Sequence, residues 1–309
     1  MKPNRLLTFA IIITTINLFC VILIKKHNRI IAVPAPIAFR EEIKFPNAKI
    51  QIVNPGYLNY VQTNQQLRKW EEEAKDLVDI GNYGSSTNGQ LLTYVKITNE
   101  LDKKPKPKIL IMACIHANEC LAACVAMNYI GCLLDEYNNN KEIANILNTK
   151  EIWFIPICSP DSFPNTRGVD GVDPNRDFMN KRSPIVRAIQ NLHLKENFVS
   201  VASLHTFGRM YLIPWGENTQ FIPEYEVYKK IVGQMAEKSN YKLLRACEIY
   251  GSPIYGGELD WFYKNKAFSI VVELGTHQKI PKKEEIEYEK NRTWEAFILF
   301  LTFYPHNTT

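Results

Sequence analysis

His116, Glu119, His205 and Glu273 are of the types that hold a metal ion or move a proton, and each stands where an apolar run gives out. His116 and Glu119 follow Lys108-Ile109-Leu110-Ile111-Met112-Ala113-Cys114-Ile115. Three residues apart, an imidazole and a carboxylate converge on one point if the chain folds back between them, and both are good zinc ligands. The pair is short enough to arise by chance, so it needs a third ligand, a base and an anion site. His205, after Val201-Ala202-Ser203-Leu204, is the natural third ligand. Two His and one Glu leave the fourth zinc position for water, which is the arrangement of a catalytic site. The bland alternative is a hydrogen-bonded core histidine. Glu273 ends Ser269-Ile270-Val271-Val272. A carboxylate there is costly unless paired or functional. Beside zinc it could take a proton from water and return it to a leaving amine; otherwise it would pair with a loop lysine. Asp161 stands at a similar place. Arg167, Asn175 and Arg176 share a long Pro-, Gly- and Asp-rich segment, residues 159–180. An arginine fork matches a carboxylate bidentately, and a second could stabilise a developing oxyanion. A solvated surface charge is the alternative for either one.

The elements that must carry these groups follow from periodicity. Residues 108–113 read as a buried strand after Lys104-Pro105-Lys106-Pro107, and a helix starts soon after Glu119 and runs to about Leu134. Further strands are expected at 91–97, 151–158, 198–204, 210–214 and 267–274, and helices at 64–78, 143–147, 221–238 and 283–303. Ile80-Gly81-Asn82-Tyr83-Gly84 reads as a break and residues 85–89, ending in Asn88-Gly89, as a hairpin turn. Strands alternating with helices predict an α/β fold, a mixed β-sheet flanked by helices. In such sheets the ligand crevice lies at the strand carboxyl ends, where the candidates fall.

The composition is that of a globular protein. The 309 residues are 46% hydrophobic and 22% charged, and 37 basic against 32 acidic residues give a net charge of +5 without a long basic block. Nucleic-acid binding therefore has little support. Seven cysteines are an odd number, none in a Cys-x-x-Cys pair, and they read as small buried apolar residues. Residues 6–24 are an uncharged, mostly apolar run long enough to span a bilayer. A signal anchor is the first reading and a cleaved signal peptide the second. The expected organisation is a membrane-spanning helix over 1–24, a linker and domain edge over 25–60 and a catalytic domain over 61–309. On this reading the catalytic domain sits outside the cytoplasm on its anchor, or is secreted if the segment is cleaved.

Together, His116-Ala117-Asn118-Glu119, Asn175-Arg176-Asp177-Phe178, His205-Thr206-Phe207 and Val272-Glu273-Leu274-Gly275 resemble the zinc metallocarboxypeptidases of the carboxypeptidase A type, in order and over roughly residues 64–305. The resemblance implies a carboxypeptidase-like fold and one Zn2+ held by His116, Glu119 and His205. It implies Glu273 as general base and acid, Asn175 and Arg176 holding the substrate's terminal carboxylate, and Arg167 polarising the scissile carbonyl. The family's capping tyrosine precedes a Gly-Gly pair. Here Gly256-Gly257 follows both Tyr250 and Tyr255, and Tyr250 fits with two residues inserted. The residue before Asp260-Trp261, Leu259, falls at the base of the specificity pocket and implies an apolar side chain; a register slip of one would place Glu258 there and favour a basic one. Asn118 stands where digestive members carry arginine, and Phe207 where they carry tyrosine. The chain resembles a minimal catalytic domain on a membrane tether, acting as a monomer on peptides with a free C-terminal carboxylate, cell-wall peptides among them. A zinc amidohydrolase of the aspartoacylase or succinylglutamate desuccinylase type is the alternative, since the 86-residue interval from Glu119 to His205 suits both. An inactive binding module of the same fold is the third reading.

Overall fold

The computed structural model describes residues 21–26, 29–34, 57–168, 171–249, 251–277 and 280–303. Residues 1–44 and 45–309 are two units. In the first, β1 (Val21–Lys26) and β2 (Arg29–Pro34) pair antiparallel. The sequence reading expected the end of an apolar helix and the start of a linker there. The β-branched content of Val21-Ile22-Leu23-Ile24 and Ile30-Ile31-Ala32-Val33 favours the extended chain instead. Most of the apolar run lies outside the described residues, and no helix among the described residues is long and apolar enough to cross a membrane.

The second unit carries every candidate residue. Helix α1 (Tyr60–Glu73) opens with a reciprocal cap between Asn59 and Gln62. It ends before Leu77, which the helical spacing had included, and β3 (Val78–Ser85) runs through Gly81 where a break was expected. The pairing of β3 with β4 (Leu91–Ile97) explains this: the Tyr94 ring crosses Gly81 so closely that a Cβ would meet its hydroxyl at 2.2 Å. The glycine here makes room for a ring within a strand. Next come β5 (Lys108–Ala113), α2 (Cys120–Glu136), α3 (Lys141–Thr149) and β6 (Glu151–Ile155), which stops at Pro156. The chain continues through α4 (Pro184–Glu196), β7 (Ser200–Thr206), β8 (Met210–Ile213), α5 (Tyr225–Ser239), β9 (Lys242–Arg245), α6 (Glu258–Lys264), β10 (Phe268–Leu274) and α7 (Lys283–Thr302).

Eight strands form one mixed sheet in the order β3-β4-β6-β5-β7-β10-β8-β9. Its centre, β6-β5-β7-β10, is parallel; β4, β8 and β9 run against it, and the edge strand β3 runs with it. Successive β5 residues face opposite layers. Ile109, Ile111 and Ala113 join a core built with α2, α5 and α7, while Leu110 and Met112 join one built with α4 and Phe262 of α6. Burial on both faces explains why this strand reads as an unbroken apolar run. Helix α2 is buried almost all round. Its Ala and Cys residues are small enough to lie between the sheet and α7, which accounts for Cys120 and Cys124 without invoking chemistry.

Candidate active site

The parallel core delivers the site by register alone. In the pairing of β7 with β10, Glu273 lies beside His205, and in that of β5 with β7, Ala113 lies beside Leu204. His116 therefore leaves β5 level with His205. The turn after β5 is tight, with Cys114 at φ +51°, and it brings Glu119 to the cap position of α2. A carboxylate there meets the positive end of the helix dipole.

The two oxygens of Glu119 are divided between the two rings. His116 Nδ1 lies 3.0 Å from Oε1 and His205 Nδ1 3.0 Å from Oε2, and Thr206 N–H donates to Oε2 at 3.1 Å. The three side chains are buried, and one ligand atom from each lies within 4.8 Å of the others. The outer nitrogens are also engaged: His116 Nε2 sits 2.9 Å from Asp173 Oδ1 and His205 Nε2 2.6 Å from Glu258 Oε1. A carboxylate on Nε2 fixes the tautomer and turns Nδ1 inward, as metal-binding imidazoles require. Two inward imidazole nitrogens and a carboxylate, buried and oriented, suit zinc with a position to spare.

Electrostatics separates the carboxylates. Desolvation pushes Glu119 up, but His205 and His116 outweigh it and bring it down to about 2. Partial burial acts the same way on Asp173, and His116 and Arg167 hold it well below the usual range. For His205, burial disfavours the charged ring, yet Glu119 and Glu258 raise its proton affinity well above the ordinary value. Glu273 goes the other way. Burial dominates and pushes it up to about 7, Glu119 adds to the rise, and His205, His116 and Arg167 oppose it. Its Oε2 is buried without a hydrogen-bond partner among the described residues, so the ion pair with a loop lysine is not formed there.

One cavity of about 310 Å³ is lined by His116, Glu119, His205, Glu273, Arg167, Asn175 and Arg176 together. Arg167, half-exposed, donates from Nε to Asp173 Oδ2 at 2.9 Å and keeps Nη1 3.9 Å from Glu119. Asn175 and Arg176 lie on a single 3-10 turn, Pro174–Arg176, whose start is capped by the Asp173 carboxylate accepting the Asn175 N–H. The Asn175 side-chain oxygen accepts the Glu258 N–H at 2.9 Å, which leaves its amide nitrogen for a ligand. The cavity's far end is apolar, with Met210, Leu212, Ala246, Ile249, Ile254, Leu259 and Val271 around Gly216 and Asp260. The Asp260 carboxylate is taken up by the N–H groups of Gly216 and Glu217.

Of the sequence candidates, Leu259 lines this end while Glu258 turns away to His205. Asp161 is elsewhere: its carboxylate accepts from Ser86 Oγ, the Asn88 N–H and Gln90 Nε2 and ties down the hairpin turn. Tyr250 lies outside the described residues, and Tyr255 is exposed. Asp173, which backs His116, is a site residue that sequence reasoning missed, and Glu258 was named only for the pocket, not for its place behind His205. The only local signal for Asp173 is its place two residues before Asn175.

The family model for zinc carboxypeptidases matches residues 63–296. A zinc carboxypeptidase of Saccharothrix mutabilis subsp. capreolus is 30% identical over 141 residues, covering 40% of this chain and 32% of that protein. The match thus spans about a third of the length of that curated relative. Among solved structures, thrombin activatable fibrinolysis inhibitor superposes with a TM-score of 0.74 at 17% identity, over 80% of this chain and 74% of that one. The carboxypeptidase A of Helicoverpa armigera gives 0.71 at 16% identity, over 84% and 75%. At these identities the likeness is one of fold, a mixed sheet flanked by helices.

Proposed function

The chain belongs to the zinc carboxypeptidase family, and on that footing we propose that it is a metallocarboxypeptidase removing apolar C-terminal residues from peptides. The observation that carries this reading is one cavity in which Glu273, half-buried and with an Oε2 that has no hydrogen-bond partner among the described residues, shares walls with the His116–Glu119–His205 cluster and with the Asn175–Arg176 turn. His116, Glu119 and His205 would hold one zinc ion, which when bound supplies a Lewis acid for the scissile carbonyl and for water.

The protein's own groups do the rest. Arg176 and the Asn175 amide take the substrate's terminal carboxylate, setting the scissile bond at a fixed distance from the imidazoles. The last side chain enters the apolar end against Leu259. Arg167, held by Asp173, offers its guanidinium to the oxyanion that develops as water attacks. Glu273 accepts the proton of that water and delivers it to the nitrogen of the departing residue. Burial pushes this carboxyl up to about 7 in the metal-free protein, and a bound cation would draw it back toward the carboxylate that accepts the proton. The apolar end favours a terminal residue with an apolar side chain over an acyl-aspartate or acyl-glutamate.

The test is a library of peptides with varied C-termini, incubated with the zinc-loaded full chain and read by mass. Loss of one terminal apolar residue, abolished by C-terminal amidation, is expected. Cleavage that ignores amidation would contradict the clamp. Residues 6–24 extend the proposal to a membrane tether with the catalytic unit outside the cytoplasm, where cell-wall peptides present such ends. Fractionation of the expressing cell checks this, with recovery of the intact, uncleaved chain in the cytosol as the contrary result.

A further inference from the structure

Glu258 is 1% exposed and does not face the cavity, yet it touches both halves of the site. Its Oε1 is 2.6 Å from His205 Nε2, and its own N–H donates to Asn175 Oδ1 at 2.9 Å. It opens α6, and three contacts hold that end in place. Ser269 Oγ of β10 donates to the Leu259 carbonyl at 2.8 Å. Phe178 N–H donates to the Gly256 carbonyl at 3.1 Å. Gly256, at φ +73°, lets the backbone come so near Arg176 that a Cβ would meet its carbonyl oxygen at 2.4 Å. Oε2 of Glu258 is buried without a hydrogen-bond partner among the described residues. A half-satisfied buried carboxylate is a poor choice if stability alone is served, because an apolar side chain would avoid its desolvation.

We propose that Glu258 is a positioning residue of the metal centre: its carboxylate fixes the tautomer and ring plane of His205, and its backbone ties that ring to the Asn175 side of the carboxylate clamp. Asp173 does the corresponding work for His116 while capping the turn that carries Asn175 and Arg176. Each imidazole is thus coupled through one acidic residue to the segment that would grip the substrate. The inference rests on the reading of His116, Glu119 and His205 as zinc ligands.

The test compares the full-length wild type with Glu258→Gln and Glu258→Asp by competition for zinc against a chelating indicator, alongside melting of the metal-free proteins. Glu258→Gln keeps the shape and removes the charge. Its zinc affinity is expected to fall by about 10- to 100-fold, with the metal-free melting point unchanged or raised. Glu258→Asp withdraws the charge by one methylene and is expected to lose affinity as well; it decides the matter if Glu258→Gln fails to fold. Variant affinity within twofold of wild type, with or without a lower metal-free melting point, would overturn the inference. A wild type that binds no zinc would instead sink the ligand assignment beneath it.

Discussion

Glu273 and Glu119 are carboxylates of one cavity driven in opposite directions, and that split assigns their work. Glu119 stays charged for a cation, whereas Glu273 sits near neutrality and can exchange a proton. Glu273→Gln should retain zinc and lose roughly 10²- to 10⁴-fold in kcat/KM. The same change should stabilise the metal-free protein at high pH. Because the folded-state value of Glu273 lies above its ordinary 4.5, its contribution is fully present below that pH and is lost as pH rises through about 7. Urea unfolding at pH 8 should therefore find metal-free Glu273→Gln more stable than wild type by about 1–3 kcal/mol, with the gap closing near pH 4. In turnover, kcat/KM should fall with one proton on the acid side, at or below about 7, since a bound cation favours the carboxylate. His205 makes a separate prediction. Held between Glu119 and Glu258 it keeps a proton in the metal-free protein, so zinc must displace it. Calorimetry in buffers of different ionisation enthalpy should show between about one and two protons released per zinc at pH 7, one from His205 and a fraction from Glu273.

At the level of elements, the strands that end in chemistry are those the sequence made plain. β5, β7 and β10 are buried on both faces, so each is an apolar run stopped by a polar residue, and His116, His205 and Glu273 announce themselves. Their alignment follows from parallel register. The supports were not legible in the same way. Asp173 meets His116 across 57 residues and Glu258 meets His205 across 53, and no local spacing encodes such contacts. β3 was misread because Gly81 serves a neighbour's ring, and α6 is only seven residues long, too short for a helical period to show. Near α6 the packing makes two predictions. Gly256→Ala forces a side chain against the Arg176 carbonyl at positive φ. It should cost about 1–3 kcal/mol and raise KM by displacing the clamp, as denaturation and kinetics would show. Leu259→Asp puts a charge at the apolar end and should move preference toward C-terminal Lys or Arg by roughly tenfold or more, measured as a ratio of kcat/KM values.

For the whole molecule, the sheet and its two helical layers bring segments separated by 157 residues, from His116 to Glu273, onto one cavity. A cation held there binds only the folded chain, so it should stabilise by mass action, by about 4 kcal/mol at a thousandfold excess over Kd. The account stands most directly on one measurement: metal content together with mass-resolved trimming of a peptide bearing a C-terminal apolar residue, for wild type, chelator-stripped wild type and Glu273→Gln. One zinc per chain is expected in wild type and in Glu273→Gln, with single-residue trimming only by wild type and by the stripped protein after zinc is restored. Trimming that persists in the stripped protein, or in Glu273→Gln at the wild-type rate, would contradict it.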